Sequence, residues 1–185
     1  MGRTGLSAAI VLSSAALAAA LPRASNPAEG GGSLTFEATQ AGAVFTGRFD
    51  RFRADIDFDP ADPSACRFDV RIETASADTL ESQRDEVLKG PDFFWVEQHP
   101  VATYAGRGCR ADGKGYALDG ELTLRGVTRT VPLRFTYAPG ANAAGIEGSA
   151  RLSRLDFGVG QGEWQSTEWV GDAVTVRFDL LLPAD

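Results

Sequence analysis

Five stretches of the chain alternate apolar and polar residues with a period of two. In one of them, Phe52, Ala54, Ile56 and Phe58 alternate with charged residues. Successive side chains of a β-strand point to opposite faces, so each stretch predicts a strand with one apolar and one polar face. The five stretches cover residues 52–58, 68–72, 116–124, 146–152 and 174–182.

Shorter apolar runs bounded by turn residues add further strands to this pattern. The predicted strands cover residues 34–38, 43–49, 52–58, 66–74, 101–109, 116–124, 127–137, 146–155 and 174–182. Pro132 cannot donate a ladder hydrogen bond, so we expect an edge or a bulge at its position. Because closing a sheet removes exposed strand edges, we predict an all-β fold: a closed, antiparallel, eight-stranded β-barrel.

One segment breaks the alternation and predicts a helix. Ser82 is followed three positions later by the acidic residue Asp85, which is typical of a capped helix start. Lys89, Gly90 and Pro91 then supply a basic last turn, a glycine cap and a proline stop. The barrel is therefore expected to carry one or two short helices, this one of about two turns.

The interior of such a barrel can be a packed core or a container, because eight strands enclose just enough space for side chains or one small ligand. Small residues on inward faces would leave volume for a ligand, and aromatic residues on connectors would line or close a mouth. Alternatively, the glycines mark close strand approaches and the aromatics fill the barrel ends. Spacing alone leaves both interpretations open. The small residues are Gly47, Ala54, Gly106, Gly120, Gly148 and Ala150.

The beginning of the chain has the features of an export signal. Arg3 precedes an apolar run from Leu6 to Ala20 that ends in small residues, which predicts a secretory signal peptide over residues 1–20. An uncleaved N-terminal anchor is the alternative. Residues 21–33 are predicted to form a flexible mature N-terminus, and residues 34–183 a single β-barrel domain. We therefore expect an exported protein that is secreted from the cytoplasm.

The charge and the cysteine content of the chain indicate which partners, cross-links and metal sites to expect. The net charge of −7 disfavours binding to nucleic-acid backbones, and we expect no nucleic-acid partner. Cys66 and Cys109 predict a disulfide in an oxidising compartment, with two separately buried thiols as the alternative. Two thiols and one histidine, His99, match no zinc pattern, so no metal site is expected.

The sequence contains no recognisable catalytic motif. His99 has no neighbouring nucleophile or second base, so a structural role is favoured. Arg84 and Asp85 could anchor a polar headgroup at a barrel mouth or form a structural ion pair. Together with Tyr104, they are the candidates for an enzyme that acts on lipids or quinones. We nevertheless expect a protein that is not an enzyme.

Several segments, in this order, resemble the YceI-like family. The segments that carry the resemblance are residues 45–47, 83–88, 92–94, 99–100, 120–128, 153–158 and 170–174. The resemblance implies a bacterial, usually periplasmic, lipocalin-like barrel that binds polyisoprenoid or other long-chain lipids in its lumen. One departure is Val87, where many members of the family carry a histidine.

The function that the resemblance implies is non-catalytic binding of a long-chain isoprenoid or similar lipid, such as a polyprenyl lipid or an isoprenoid quinone. The lipid would be held for carriage, storage or sequestration, without a further cofactor. We also expect transient contact with membrane proteins or lipids. The protein is expected to be a monomer or a homodimer. The alternatives are an enzyme or accessory factor of isoprenoid-quinone or lipid metabolism, and a ligand-free stress-response interaction barrel.

We assign the ligand contacts to the apolar strand faces, the connector aromatics and one arginine. The predicted ligand-binding residues are Phe45, Phe49, Ile56, Phe58, Val70, Ile72, Arg84, Phe93, Phe94, Trp95, Tyr104, Leu122, Leu124, Leu133, Phe135, Phe157, Trp164 and Trp169.

Overall fold

A computed structural model describes residues 31–183 of the chain, and the predicted signal peptide lies outside these residues. The described part is one antiparallel sheet of eleven strands with one α-helix, α1 (Ser82–Lys89). Within residues 31–183, no helix is long and apolar enough to cross a membrane. The strands are β1 (Gly32–Gln40), β2 (Ala43–Phe49), β3 (Phe52–Asp57), β4 (Arg67–Glu73), β5 (Ala77–Asp78), β6 (Val101–Arg107), β7 (Arg110–Asp112), β8 (Gly115–Leu124), β9 (Val127–Ala138), β10 (Ala143–Ser153) and β11 (Ala173–Pro183).

The all-β class is confirmed, but the prediction of a closed eight-stranded barrel is wrong in its closure and strand count. The strands follow the order β3-β4-β6-β8-β9-β10-β11-β1-β2-β5, and β7 pairs with β8. The predicted strands 43–49 and 52–58 correspond to β2, which pairs with β1 and β5, and to β3, which pairs with β4. In the described residues the sheet therefore curls around an interior without a ladder joining its outermost strands, β3 and β5.

The alternation of the sequence matches the two faces of this curled sheet. Along β3 the residues Phe52, Ala54 and Ile56 face the interior, while the residues between them are exposed. Pro132 pairs with Asp119 of β8 and lies one residue beyond the last pair between β9 and β10. Its missing N–H therefore lies just past the end of the β9–β10 ladder, as expected of an edge position.

The cap of α1 differs from the prediction. Glu81 is the N-cap residue, and its carboxylate accepts hydrogen bonds from the backbone N–H groups of Gln83 and Arg84 at 3.0 and 2.9 Å. The carboxylate of Asp85 accepts hydrogen bonds from the backbone N–H and the hydroxyl of Thr79 instead. Asp85 thus ties the helix to the segment before it.

The interior has two unlike ends. The connector end carries residues 74–100 with α1, the turn at residues 125–126 and the long connection 154–172. The disulfide end carries the connections 58–66 and 108–114, where Cys66 and Cys109 form a disulfide with a Cα–Cα distance of 5.7 Å. The covalent bond thus joins the connection before β4 to the connection after β6.

Candidate functional site

An apolar cavity of about 180 Å³ lies inside the curled sheet. Its volume exceeds the ~150 Å³ of an engineered apolar cavity that stays dry and binds benzene. Among the described residues that line it, Tyr104 and Arg154 are the two with polar side-chain groups. All the others are apolar, so the wall attracts hydrocarbon by burial from water.

Eleven of the eighteen predicted ligand residues line this cavity. They are Phe45, Phe49, Ile56, Val70, Ile72, Phe93, Phe94, Tyr104, Leu122, Leu124 and Leu133. Further lining residues on β1, β10 and β11 follow the same alternation but are not among the predicted ligand residues, although the periodic signal could have found them. These include Leu34, Phe36, Ala150, Leu152, Val174, Val176, Phe178 and Leu180. Val159 and Val170 also line the cavity from the connection 154–172, which has no strand pattern.

Two of the other predicted residues belong to an aromatic floor at the disulfide end. The ring of Phe135 lies 5.1 Å from that of Phe58 and 5.4 Å from that of Tyr116. Phe58 also contacts Tyr137, with ring centroids 5.3 Å apart. Phe58 and Phe135 therefore close one end of the interior and do not line the cavity. Here the aromatic side chains fill a barrel end, the alternative that the sequence had left open.

The remaining predicted residues lie at the connector end, outside the cavity wall. Trp164 contacts the lining residue Phe93, with ring centroids 5.5 Å apart. The backbone N–H groups of Gly160 and Gln161 donate to the Asp92 carbonyl at 2.7 and 2.8 Å, so the two connectors cover the end together. The other residues of this group are Arg84, Trp95, Phe157 and Trp169.

The inward glycines do not enlarge the cavity, so the second of the two interpretations that the sequence left open applies to them. Each of them accommodates a large neighbouring side chain, so a Cβ atom would clash with that neighbour. Phe36 occupies the space at Gly47, Leu118 that at Gly106, Tyr104 that at Gly120 and Phe178 that at Gly148. By contrast, Ala54 and Ala150 do line the cavity. Of the six small residues singled out from the sequence, the two alanines thus border the cavity and the four glycines do not.

Tyr104 is a wall residue whose hydroxyl is already engaged. The hydroxyl donates to the Val131 carbonyl at 3.0 Å, while the ring lies over Gly120. Burial, opposed in part by a backbone hydrogen bond, raises the pKa of Tyr104 to about 12. Because its phenol stays neutral at physiological pH, Tyr104 is suited to an apolar wall and not to proton transfer.

This pKa predicts a loss of stability in alkaline solution. Below pH 10 both the folded and the unfolded states hold the Tyr104 proton, whereas between pH 10 and 12 the unfolded state releases it first. The free energy of unfolding is expected to fall over this interval by about 2–3 kcal/mol on account of Tyr104. Urea titrations of the wild type and of Tyr104→Phe across this pH range measure the contribution of Tyr104 to the free energy of unfolding. The prediction is contradicted if the free energy of unfolding depends on pH in the same way in both proteins.

Arg154 is buried at the base of the connection 154–172, with 3% of its surface exposed. Its Nε donates to the Gly171 carbonyl at 3.0 Å, and its Nη1 donates to the Val159 carbonyl at 2.8 Å. Its Nη2 donates to the carbonyls of Trp164 and Val170 at 2.7 and 2.9 Å, with a longer contact to Ser166. Burial lowers the pKa of this guanidinium, and Asp172 acts in the opposite direction. Arg154 therefore holds the connection over the cavity.

Arg84 lies on α1 beside the cavity. Its guanidinium carbon is 4.3 Å from the ring centroid of Phe45, a partly exposed lining residue. Its Nε donates to the Thr79 hydroxyl at 2.9 Å, and its Nη1 donates to the Gln40 side-chain oxygen at 3.2 Å. Arg84 and Asp85 thus form no direct ion pair with each other; both bind Thr79. Arg84 is a cation at the edge of an apolar wall.

His99 and Val87 lie apart from the cavity wall. The ring of His99 contacts the ring of Trp95 edge-on at 5.7 Å, and its backbone carbonyl accepts from the Thr74 hydroxyl at 2.8 Å. Val87 is 43% exposed on α1. In residues 31–183, no group of three or more histidine, cysteine or acidic side chains is arranged to hold a metal ion.

Sequence comparison identifies relatives of this chain. A UPF0312 protein from Pseudomonas aeruginosa is 38% identical over 119 residues, which cover 61% of this chain and 62% of the relative. A UPF0312 protein from Shewanella oneidensis is 32% identical over 136 residues, covering 69% of this chain and 71% of that protein. The chain therefore matches less than two thirds of the length of the P. aeruginosa relative.

Solved structures share the fold. BcnA from Burkholderia cenocepacia superposes with a TM-score of 0.78 at 29% identity, covering 81% of this chain and 95% of BcnA. A YCEI protein from Campylobacter jejuni has a TM-score of 0.65 at 26% identity, covering 75% and 84% of the two chains. A polyisoprenoid binding domain from Saccharophagus degradans shares the fold at 16% identity, with a TM-score of 0.59 and coverage of 83% and 94%.

A family model confirms the resemblance seen in the sequence. The model of the YceI-like domain matches residues 27–182, which include β1 to β11 up to the last residue of the match. The match thus spans both the curled sheet and the two connectors that cover its cavity, and the chain belongs to the YceI-like domain family.

Proposed function

We propose that this protein binds a long-chain isoprenoid or similar lipid in its cavity, for carriage, storage or sequestration. The observation that carries the proposal is the chemistry of the wall, in which the polar groups of Tyr104 and Arg154 are hydrogen-bonded to backbone carbonyls. A hydrocarbon chain in contact with such a wall gains about 0.8 kcal/mol per buried methylene. A polar ligand would lose its hydrogen bonds to water there and find no replacement.

The shape of the wall favours a chain over a compact ligand. Along β11 the lining residues run from Val174 to Leu180, a distance of about 20 Å for an extended strand. The aromatic floor closes the disulfide end, so the polar end of a lipid would remain at the connector end. Arg84 is placed there with its guanidinium against Phe45, and we propose it as the contact for a headgroup.

The same observations favour binding over catalysis. An enzyme acting on the lipid would need a group able to exchange protons or attack a reacting atom within reach of the wall. The pKa of Tyr104, at about 12, lies far from neutrality, and the Arg154 guanidinium donates only to carbonyl oxygens. We therefore infer a role without turnover.

We also propose a periplasmic or secreted location. The apolar segment of residues 6–20 behind Arg3 supports export. The disulfide between Cys66 and Cys109 supports an oxidising compartment, because disulfides persist there and are rare in the cytosol. Cell fractionation of the native host, with detection of the mature chain, tests this location; recovery in the cytosol would contradict it.

The binding proposal predicts that filling the cavity expels the lipid. Ala150 lines the cavity on β10, so an indole ring introduced by Ala150→Trp would occupy ligand volume. We expect lipid that co-purifies from native envelopes to be stoichiometric in the wild-type protein and at least tenfold lower in the variant. Organic extraction followed by mass spectrometry measures it.

The matched control is Ala105→Trp, which makes the same change on the exposed face of β6. This control should retain lipid at the wild-type level, and circular dichroism should show both variants folded. A wild-type protein that is empty after purification from its own envelope would contradict the proposal. Equal occupancy in Ala150→Trp and the wild type would do so as well.

A further inference from the structure

We propose that Phe68 limits the length of the chain that the cavity accepts, by forming the stop against which the apolar end of the ligand rests. The inference rests on the proposed lipid binding and names its specificity-determining residue. Phe68 lines the cavity from β4 with 1% of its surface exposed. It is therefore both in contact with the ligand space and held by its surroundings.

On β4, Phe68 is the lining residue nearest the disulfide end. Phe68 pairs with Ile56 of β3 and with Gly106 of β6, and the Leu118 side chain fills the space above Gly106. Leu118 and Ile146 belong to the same buried cluster as Phe68, have no exposed surface and do not line the cavity. The interior next to Phe68 is thus filled by buried side chains that do not line the cavity.

The Phe68 ring is also fixed in place. Its centroid lies 5.2 Å from that of Phe135, which is in turn packed against Phe58 and Tyr116. Two residues before Phe68, Cys66 is joined covalently to Cys109. Aromatic neighbours and a nearby cross-link hold the ring, so its displacement would disrupt close packing and cost free energy.

The polarity of the wall fixes which end of a lipid meets this stop. The polar end remains at the connector end, so the apolar end is directed toward Phe68. A chain longer than the cavity must then leave hydrocarbon in water at the connector end or displace the aromatic floor. Either event loses the apolar burial that drives binding, so affinity should fall sharply beyond one chain length.

A series of prenyl alcohols of increasing repeat number tests this proposal. Dissociation constants of the delipidated full-length protein are measured by the change in intrinsic tryptophan fluorescence, since Trp164 contacts the lining residue Phe93. We expect the wild type to bind members up to a limiting length and the next longer member at least tenfold more weakly. The ring that Phe68→Ala removes is about the size of one isoprenoid repeat, so this variant should accept that next member at least tenfold more tightly than the wild type.

The control is Phe157→Ala, which truncates a phenylalanine that is equally buried, at 1% exposure, but lies outside the cavity wall. It should leave the limiting length unchanged even if it lowers stability. Should Phe68→Ala fail to fold, Phe68→Leu opens the same position by a smaller amount, and a smaller gain for the longer chain is expected.

The outcomes separate this inference from the binding proposal. A wild type that binds no member of the series would overturn the proposed function. A wild type that binds every length equally, or a limiting length that neither Phe68 variant moves, would overturn the role of Phe68 and leave lipid binding standing. A limiting length that increases in the Phe68 variant and stays unchanged in Phe157→Ala supports the role of Phe68.

Discussion

Replacing Arg154 with methionine is expected to lower the free energy of unfolding by about 3–5 kcal/mol, because each buried carbonyl left without a donor costs about 1–3 kcal/mol. The substitution keeps an unbranched side chain in the space but removes every donor. Five carbonyl groups, of residues 159, 164, 166, 170 and 171, then lose their hydrogen bonds to the guanidinium. Those that water cannot reach bear the full cost of an unsatisfied buried acceptor.

The structural consequence should be confined to the connection 154–172. Arg154→Met is expected to raise the hydrogen-exchange rates of the amides of Gly160 and Gln161, which bond to Asp92 only while this connection stays in place. Strand amides in the centre of the sheet should exchange as in the wild type at low denaturant. Arg154→Lys keeps the charge, but it replaces a planar five-donor group by a flexible ammonium, so an intermediate loss is expected.

The matched control is Arg151→Met, the same change three residues earlier on β10, where the arginine is exposed. An exposed substitution of this kind should change stability by no more than about 0.5 kcal/mol. Urea denaturation of the three variants and the wild type provides the comparison. Equal stability of Arg154→Met and Arg151→Met would show that the connection does not depend on the guanidinium.

The sequence predicted the strand faces well because a period of two reports directly on which side of a sheet is apolar. The residues of β3, β4 and β11 that line the cavity are those that the alternation marked as inward. The closure of the barrel could not be read in the same way. The predicted strands 43–49 and 52–58 follow one another closely, and nothing in the alternation shows that they pair with different neighbours and not with each other.

The sequence was least informative where one side chain fills the space of another. Gly120 and Ala150 are both small and both inward, yet the first lies under the Tyr104 ring and the second lies on open volume. The difference depends on the rotamer of a residue on the neighbouring strand, which no local pattern encodes. The lining residues Val159 and Val170 were missed for a related reason, since the carbonyls that bind Arg154 place their connection over the cavity.

Removal of the disulfide is expected to destabilise the protein by about 4 kcal/mol, the value of the chain-entropy model for a loop of this size. Cys66 and Cys109 are 43 residues apart, and the bond restricts the unfolded chain accordingly. The double variant Cys66→Ala/Cys109→Ala removes the cross-link without leaving a reactive thiol. Both positions are buried, at 2% and 4% exposure, so alanine keeps the site apolar.

Urea titration distinguishes this mechanism from a loss of packing. If the bond acts mainly on the unfolded state, the variant should show a steeper dependence on urea, because its unfolded chain expands further and exposes more surface. The wild type, unfolded and refolded with its disulfide reduced, should reproduce the stability of the double variant to within about 1 kcal/mol, the scale of the packing differences between thiol and alanine. A double variant that loses less than about 1 kcal/mol would contradict the entropic account, given the roughly 4 kcal/mol that the model assigns. Because the bond lies two residues from Phe68, the same variant should also loosen the floor of the cavity, which hydrogen exchange at the amides of β4 would reveal.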